Sequence, residues 1–398
     1  QLPGREAPEL ALLEQDGLTL NVWAPEHGKD LPVAVWIHGG ASTAGSGAQP
    51  TFDGTRFARD GVVLVTLNYR LGQLGFFAHP ELPAGGNFGY MDMIAALRWV
   101  RDNIAAFGGD PARVTLMGES AGGMAVTALM ASPQARGLFA AAVSQSAGES
   151  SMEPIDKAVA AGRELARAAG ASDLAALRAL PASALVDIPR DRTYAGPMLD
   201  GTTLVEQPSA AFAAGRAAPV PFLVGANDRE EAAMARLTPE EAKRRLDGMF
   251  AAYPAHADAA RHLYDVDHVG PVESLVRIIS DAGSVEPARY YARQHPTSWV
   301  YRFSYVATKD RSTTPAAHHA AELPYVFGTA QWDMSAEDRQ ATDAVHGAWV
   351  RFITTGDPGW PAITTDKELI NDFTNAGPVV MTDPLRARLD LVEAAKAR

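Results

Sequence analysis

The residues best suited to chemistry are Gly118-Glu119-Ser120-Ala121-Gly122. The apolar run Arg113-Val114-Thr115-Leu116-Met117 precedes them and a small-residue stretch follows, so the segment reads as strand, tight turn and helix. Such a turn strains the serine at the top of a sheet, and glycines two positions to each side remove side chains that would collide there. The helix N-terminus adds backbone N–H groups. The chemistry would be nucleophilic attack by Ser120; the bland alternative is a serine in a close helix–strand packing turn. A second segment, Trp36-Ile37-His38-Gly39-Gly40-Ala41, runs from a strand into small residues whose N–H groups can face a developing oxyanion. A phosphate-binding or dinucleotide loop is its rival. No Gly-Lys-Ser/Thr follows, however, and Gly45-Ser46-Gly47-Ala48 does not continue as Gly-x-Gly-x-x-Gly.

Both segments need a frame. Residues 33–38 and 62–67 are apolar runs of strand length, and 92–107 carries Met93, Ala96, Leu97, Val100 and Ile104 at helical spacing. That helix is expected to stop at Gly108-Gly109-Asp110-Pro111. Alternation of this kind predicts an α/β fold with a largely parallel sheet. Further on, 149–195 and 238–268 read as helical, 222–225 and 299–305 as strands, and 337–354 as a late helix followed by loops. With no repeat, linker or charge block, residues 1–398 are expected to form one domain, with 149–195 and 235–298 as helical segments capping the cleft.

Composition narrows the function. The 398 residues are 47% hydrophobic and 21% charged, enough for a sizeable core. The absence of cysteine excludes disulfides and thiolate chemistry. A net charge of -12, from 35 basic and 47 acidic residues, argues against nucleic acid and anionic lipid as partners. The best apolar run, 61–77, is broken by Asn68, Tyr69 and Arg70, so no membrane span is expected. His256, His262 and His268 lack metal-ligand spacing, which argues against zinc. Arginine over lysine, abundant alanine and no Asn-x-Ser/Thr sequon suggest a bacterial source. Gln1 at the start, without a basic-then-apolar leader, is expected of a processed or trimmed N-terminus. A secreted or periplasmic location is favoured over the cytoplasm.

Residues 20–148 resemble the type-B carboxylesterases, the α/β-hydrolase family that includes cholinesterases and p-nitrobenzyl esterases. The matching pieces are Leu20-Asn21-Val22-Trp23-Ala24-Pro25, His38-Gly39-Gly40, Asn68-Tyr69-Arg70-Leu71-Gly72, Gly86-Asn87-Phe88-Gly89, Phe107-Gly108-Gly109-Asp110-Pro111, Gly118-Glu119-Ser120-Ala121-Gly122 and Ser144-Gln145-Ser146. They stand in the family's order and spacing, and looser similarity continues to about Pro361. The resemblance implies the α/β-hydrolase fold and a triad in the order serine, acid, histidine.

Counting from Gly225 puts Glu230 on the family's glutamate, with Asp228 and Glu231 as contenders because the flanking residues depart from the motif. The family's histidine stands three residues before a glutamate in a segment ending Val-Phe-Gly; His319 fits, before Glu322, with His318 as its rival. The implied chemistry is cleavage of a small-molecule carboxylic ester through an acyl-enzyme. His319 would move the Ser120 proton, Glu230 would orient the imidazole, and Gly40, Ala41 and Ala121 would form the oxyanion hole. No cofactor is needed, and a monomer or weak homo-oligomer is expected. Glu119 reads as a buried hydrogen-bonding residue, and Asn87, Asp92 and Asp281 as framework.

The sequence departs from the family in four places. The N-terminal β-region before Gln15-Asp16-Gly17-Leu18 is short, which should cost edge strands and open one wall of the site; the family's nearby cysteine is absent. Ala41-Ser42 replaces the usual Gly-Phe, and the Glu230 segment is unusual. An amidase or carbamate hydrolase on the same triad, and a non-catalytic adhesion protein, are the rival functions. Arg192, Lys309 and Arg311 are either solvated loop charges or a preference for anionic esters.

Overall fold

The computed structural model describes residues 17–82, 85–149, 151–231, 235–314, 316–364 and 367–396; the lead ending Gln15-Asp16 lies outside them. Along strand β2 (Leu31–Ile37), Val33, Val35 and Ile37 face one side of the sheet and Ala34 and Trp36 the other, all fully buried. A strand covered on both faces has no polar side to show, which is why it reads as a continuous apolar run.

Among the described residues the main sheet has nine strands in the order β1-β3-β2-β4-β5-β8-β9-β10-β11. Besides β2 these are β1 (Leu20–Trp23), β3 (Val63–Leu67), β4 (Gly109–Glu119), β5 (Ala141–Gln145), β8 (Phe222–Asn227), β9 (Ser298–Phe303), β10 (Leu369–Thr374) and β11 (Gly377–Thr382). A separate short pair is formed by β6 (Glu153–Pro154) and β7 (Met198–Leu199). From β3 to β10 all neighbours are parallel; β1 and β11 close the two edges antiparallel.

Helices cover both faces. On one, α1 (Phe88–Asn103) and α2 (Ala121–Ala131) bring Met93, Leu97 and Leu129 against Val33 and Val35. Next come α3 (Ile155–Ala168), α4 (Pro239–Ala252), α5 (Pro271–Ser280) and α6 (Glu286–Gln294). A π-turn, Asp281–Val285, joins α5 to α6. On the other face α7 (Ala336–Thr355) packs Trp349 and Phe352 with Trp36 and Phe327. The last helix is α8 (Arg386–Lys396). No helix among the described residues is long and apolar enough to cross a membrane.

Two expectations need correction. The Gly109-Asp110-Pro111 stretch is not only a breaker: β4 begins at Gly109, paired with Leu31 before a register shift, so the sheet overrides the local turn signal. The chain after α7 is not all loop, because β10 and β11 form a hairpin and α8 follows. Asn371 and Asp372 interrupt the apolar pattern of β10, and β11 is largely exposed at the sheet edge, so neither carries a clear periodicity. The parallel pairing of Ile370 with Val300 of β9 supplies what the local sequence lacks.

Buried polar ties hold the connections to this frame. Asp92 accepts from the Arg70 guanidinium at 2.7 and 2.8 Å, and the Asn87 side chain spans the Met198 N–H and carbonyl. Asp281 accepts from Arg388 of α8 and from Tyr264.

Candidate active site

The chain leaves β2 for β3 on one side and later returns to place β4 on the other, so the order reverses between β2 and β4. Ligand clefts of parallel sheets form at the carboxyl ends of strands at such a reversal. The loop 38–44 leaves β2 there, and Ser120 leaves β4.

Ser120 has φ 57° and ψ −124°, a strained conformation for a residue with a Cβ. Its N–H donates to the Gln145 carbonyl at 2.9 Å, and its own carbonyl accepts from Met124 at 2.8 Å. These bonds hold the turn between β5 and α2. Gly122 lets that turn pass beneath β2: a Cβ there would lie 2.1 Å from the Ile37 carbonyl oxygen.

The facing loop is equally tight. Gly40, Ala41 and Ser42 take φ of 110°, 54° and 57° in succession, and the N–H groups of Thr43 and Ala44 return to the Gly40 carbonyl. A Cβ on Gly39 would stand 2.9 Å from that of Ser120, which measures how closely the two loops approach. His38 anchors the loop from below, stacked on Tyr69 with ring centroids 4.5 Å apart and Nδ1 donating to the Gly39 carbonyl. Burial pushes its imidazole down to about 4, so it stays neutral. Among the described residues the N–H groups of Gly40, Ala41 and Ala121 have no acceptor.

Glu230 and His319 stand on the turns after β8 and β9. His319 Nδ1 lies 2.5 Å from Glu230 Oε2, and Glu230 Oε1 accepts the Asn227 N–H at 2.6 Å. Glu230 is buried, while the His319 ring is 41% exposed. The contenders are elsewhere: Asp228 is exposed, the Glu231 N–H donates to Ser280 Oγ, and the exposed His318 turns Nδ1 to the His319 carbonyl.

Ser120 and His319 are not hydrogen-bonded among the described residues. His319 Nε2 instead lies 3.1 Å from Oε1 of buried Glu119, the residue before the serine. Glu119 therefore faces the imidazole and does not sit in a hydrogen-bonded pocket of its own; that oxygen has no hydrogen-bond partner among the described residues.

Glu322, fully buried, completes a group of three carboxylates that no motif in the sequence joins. It accepts from Gln145 Nε2 at 2.9 Å and Asn227 Nδ2 at 2.6 Å, and Gln145 in turn accepts from Trp349 Nε1. The available signal was a polar residue closing each of two apolar strands, Gln145 on β5 and Asn227 on β8.

Electrostatics follow from this crowding. Burial, then the charge of Glu322, pushes Glu119 up to about 8 against the opposing pull of His319. Burial would lower His319, but the hydrogen bond to Glu230 and the charges of Glu119, Glu230 and Glu322 outweigh it and lift the imidazole to about 9. Burial and then Glu230 push Glu322 up, against hydrogen bonds from Asn227 and Gln145. Farther out, Arg192, Lys309 and Arg311 pair with Glu164, Asp310 and Glu337. Among the described residues no group of three or more acids and histidines is arranged to hold a metal ion.

A serine lifted on a strand–turn–helix at the reversal point of a parallel sheet defines the α/β-hydrolase class. Solved structures agree. A PNB esterase overlays with a TM-score of 0.81 at 32% identity, covering 95% of this chain and 85% of its own. A Geobacillus stearothermophilus carboxylesterase overlays at 0.79 with 33% identity, covering 94% and 85%. Among sequences, the para-nitrobenzyl esterase of Bacillus subtilis (strain 168) is 35% identical across 89% of this chain and 78% of its own length. The fumonisin B1 esterase of Sphingopyxis macrogoltabida is 34% identical across 94% and 75%. The Carboxylesterase family profile matches residues 3–381, reaching past Pro361 into the β10–β11 hairpin. The chain belongs to the carboxylesterase family, and its activity is carboxylic-ester hydrolysis.

Proposed function

We propose that Ser120 is the nucleophile, His319 the proton carrier and Glu230 the acid of this hydrolase, acting on a small-molecule ester. The observation that carries the assignment is the Glu230–His319 hydrogen bond, formed on two turns that open beside the Ser120 elbow. In its neutral form, with Nδ1–H held by Glu230, the imidazole leaves Nε2 free to accept a proton. As ester binds, Nε2 moves from Glu119 to the adjacent Ser120 hydroxyl and takes its proton while Oγ attacks the carbonyl. Imidazolium then returns the proton to the departing alcohol, and water repeats the relay to release the acid.

The N–H groups of Gly40, Ala41 and Ala121 would hold the oxyanion; having no acceptor of their own supports this role. Segments 149–195 and 235–298 would cap the cleft of one continuous hydrolase unit. The test is hydrolysis of p-nitrophenyl acetate and butyrate, with fluorophosphonate labelling, by the wild type and Ser120→Ala. Turnover should fall by about 10⁶-fold and labelling should vanish in the variant. A folded wild type that neither turns over nor labels would overturn the assignment.

A further inference from the structure

The turn that carries Glu230 reads Asn227-Asp228-Arg229-Glu230-Glu231, and the roles assigned above leave Arg229 without one. Its Nη2 lies 2.6 Å from Glu273 Oε2 in the first turn of α5, and its side chain is only 13% exposed. Glu273 Oε1 also accepts from Arg277 Nε at 2.8 Å, one turn along the same helix. Arg229 Nε is buried without an acceptor among the described residues, so Glu273 is the carboxylate that compensates this guanidinium.

The other side of Glu230 is tied to the same helix, because the Glu231 N–H donates at 3.0 Å to Oγ of Ser280, the last residue of α5. Glu230 thus sits between two anchors at opposite ends of one helix. The Arg229 backbone reaches the histidine turn as well: its N–H donates to the Ala317 carbonyl at 2.8 Å, and it bridges to His318. Beyond Ser280, Asp281 opens the π-turn and is held by Arg388 of α8 and by Tyr264.

We propose that Arg229 is a positioning residue: its ion pair with Glu273, acting with Ser280, mounts the acid turn on α5 and aims the Glu230 carboxylate at His319. The inference rests on the triad assigned above. Displacing an acid by about 1 Å is enough to cost on the order of 10²-fold in rate, without any loss of substrate contact. The groups that would report the displacement are those facing the imidazole, namely Glu119, Glu230 and Glu322. Those facing the guanidinium belong to α5, with Arg277 behind Glu273.

The experiment uses the full chain with Arg229→Ala, Arg229→Lys and Glu273→Gln, measuring kcat and KM for p-nitrophenyl butyrate across pH, fluorophosphonate labelling rate and thermal unfolding. Arg229→Ala should lower kcat about 10- to 100-fold with KM little changed. Its acid-side pH limb should move down, because an acid pulled away from Nδ1 supports imidazolium less. Arg229→Lys should recover part of the loss, and Glu273→Gln should shift kcat and the limb in the same direction as Arg229→Ala. A lower melting temperature with kcat and pH limb unchanged would overturn the proposal. Should Arg229→Ala fail to fold, an unchanged kcat in Glu273→Gln overturns it equally. Wild type that labels at Ser120, beside an Arg229→Ala that labels at the same rate, removes only this inference; wild type that does not label removes the triad.

Discussion

The Glu119 carboxylate stands 3.1 Å from His319 Nε2, on the ring nitrogen opposite the one that Glu230 holds. The imidazole therefore lies between two buried acids, with Glu322 close enough to act on both Glu119 and His319. Negative charge on either side of the ring favours imidazolium, which is the form the proposed relay needs after the proton leaves serine and the wrong form before it.

Glu119→Gln removes one of those charges while keeping the shape. His319 should then fall from about 9 toward its ordinary 6.5, and the acid-side limb of kcat/KM should move to lower pH. A pH–rate profile for both proteins checks this. A limb that stays in place or rises would show that Glu119 does not act on His319, or that the limb does not belong to it.

The same group governs stability. An unfolded chain releases these protons near 4.5 and 6.5, whereas the folded chain keeps them to about 8 on Glu119 and about 9 on His319. The folded state thus binds more protons over that span. Stabilisation through His319 is complete below 6.5 and lost as pH rises through about 9, while the cost of keeping Glu119 buried grows from 4.5 to about 8. Wild type should lose stability as pH climbs through this window, and Glu119→Gln should lose less between about pH 5 and 8. Urea unfolding of the two proteins at those limits decides the matter; equal losses would contradict it.

Gly39→Ala tests the loop opposite the serine. The added Cβ would meet the Glu119 carbonyl and Glu119 Oε2 at 2.8 Å and the Ser120 Cβ at 2.9 Å, so the loop must move away from the elbow. If the loop supplies the proposed oxyanion donors, displacing one should lower kcat by about 10²-fold while leaving KM nearly constant. Steady-state kinetics checks it, and a loss confined to KM would place the loop in substrate binding instead.

How much of this site the sequence disclosed depends on where each residue sits. Ser120 and the loop beside it announce themselves, because a strained turn and a close approach restrict residue types within five or six positions. Glu230 and His319 carry no such local mark. Each is one acid or one histidine among several at a strand end, and only the family resemblance separated them from Asp228, Glu231 and His318. The pairing of Glu322 with Gln145 and Asn227 was out of reach for another reason: the hydrogen bonds span 177 and 95 residues, and a polar residue closing a strand does not name its partner. The β10–β11 hairpin escaped similarly, since β9 rather than periodicity holds β10 in the sheet.

The strand order has a consequence for synthesis. Once β3 has joined β2 on one side, the sheet gains β4, β5, β8, β9, β10 and β11 in turn at its other edge. A ribosome delivers those strands in that sequence, so a nascent chain can lay the sheet down without rearranging it. At roughly 5–20 residues per second, the serine elbow and its facing loop emerge on the order of ten seconds before the turn bearing the histidine. On the roles proposed above, the nascent hydrolase then has its nucleophile but not its proton carrier, and until β8 emerges β5 presents an unpaired edge. With those roles the esterase would be inert until its histidine turn emerges, and the open edge of β5 falls between the two halves of the proposed site.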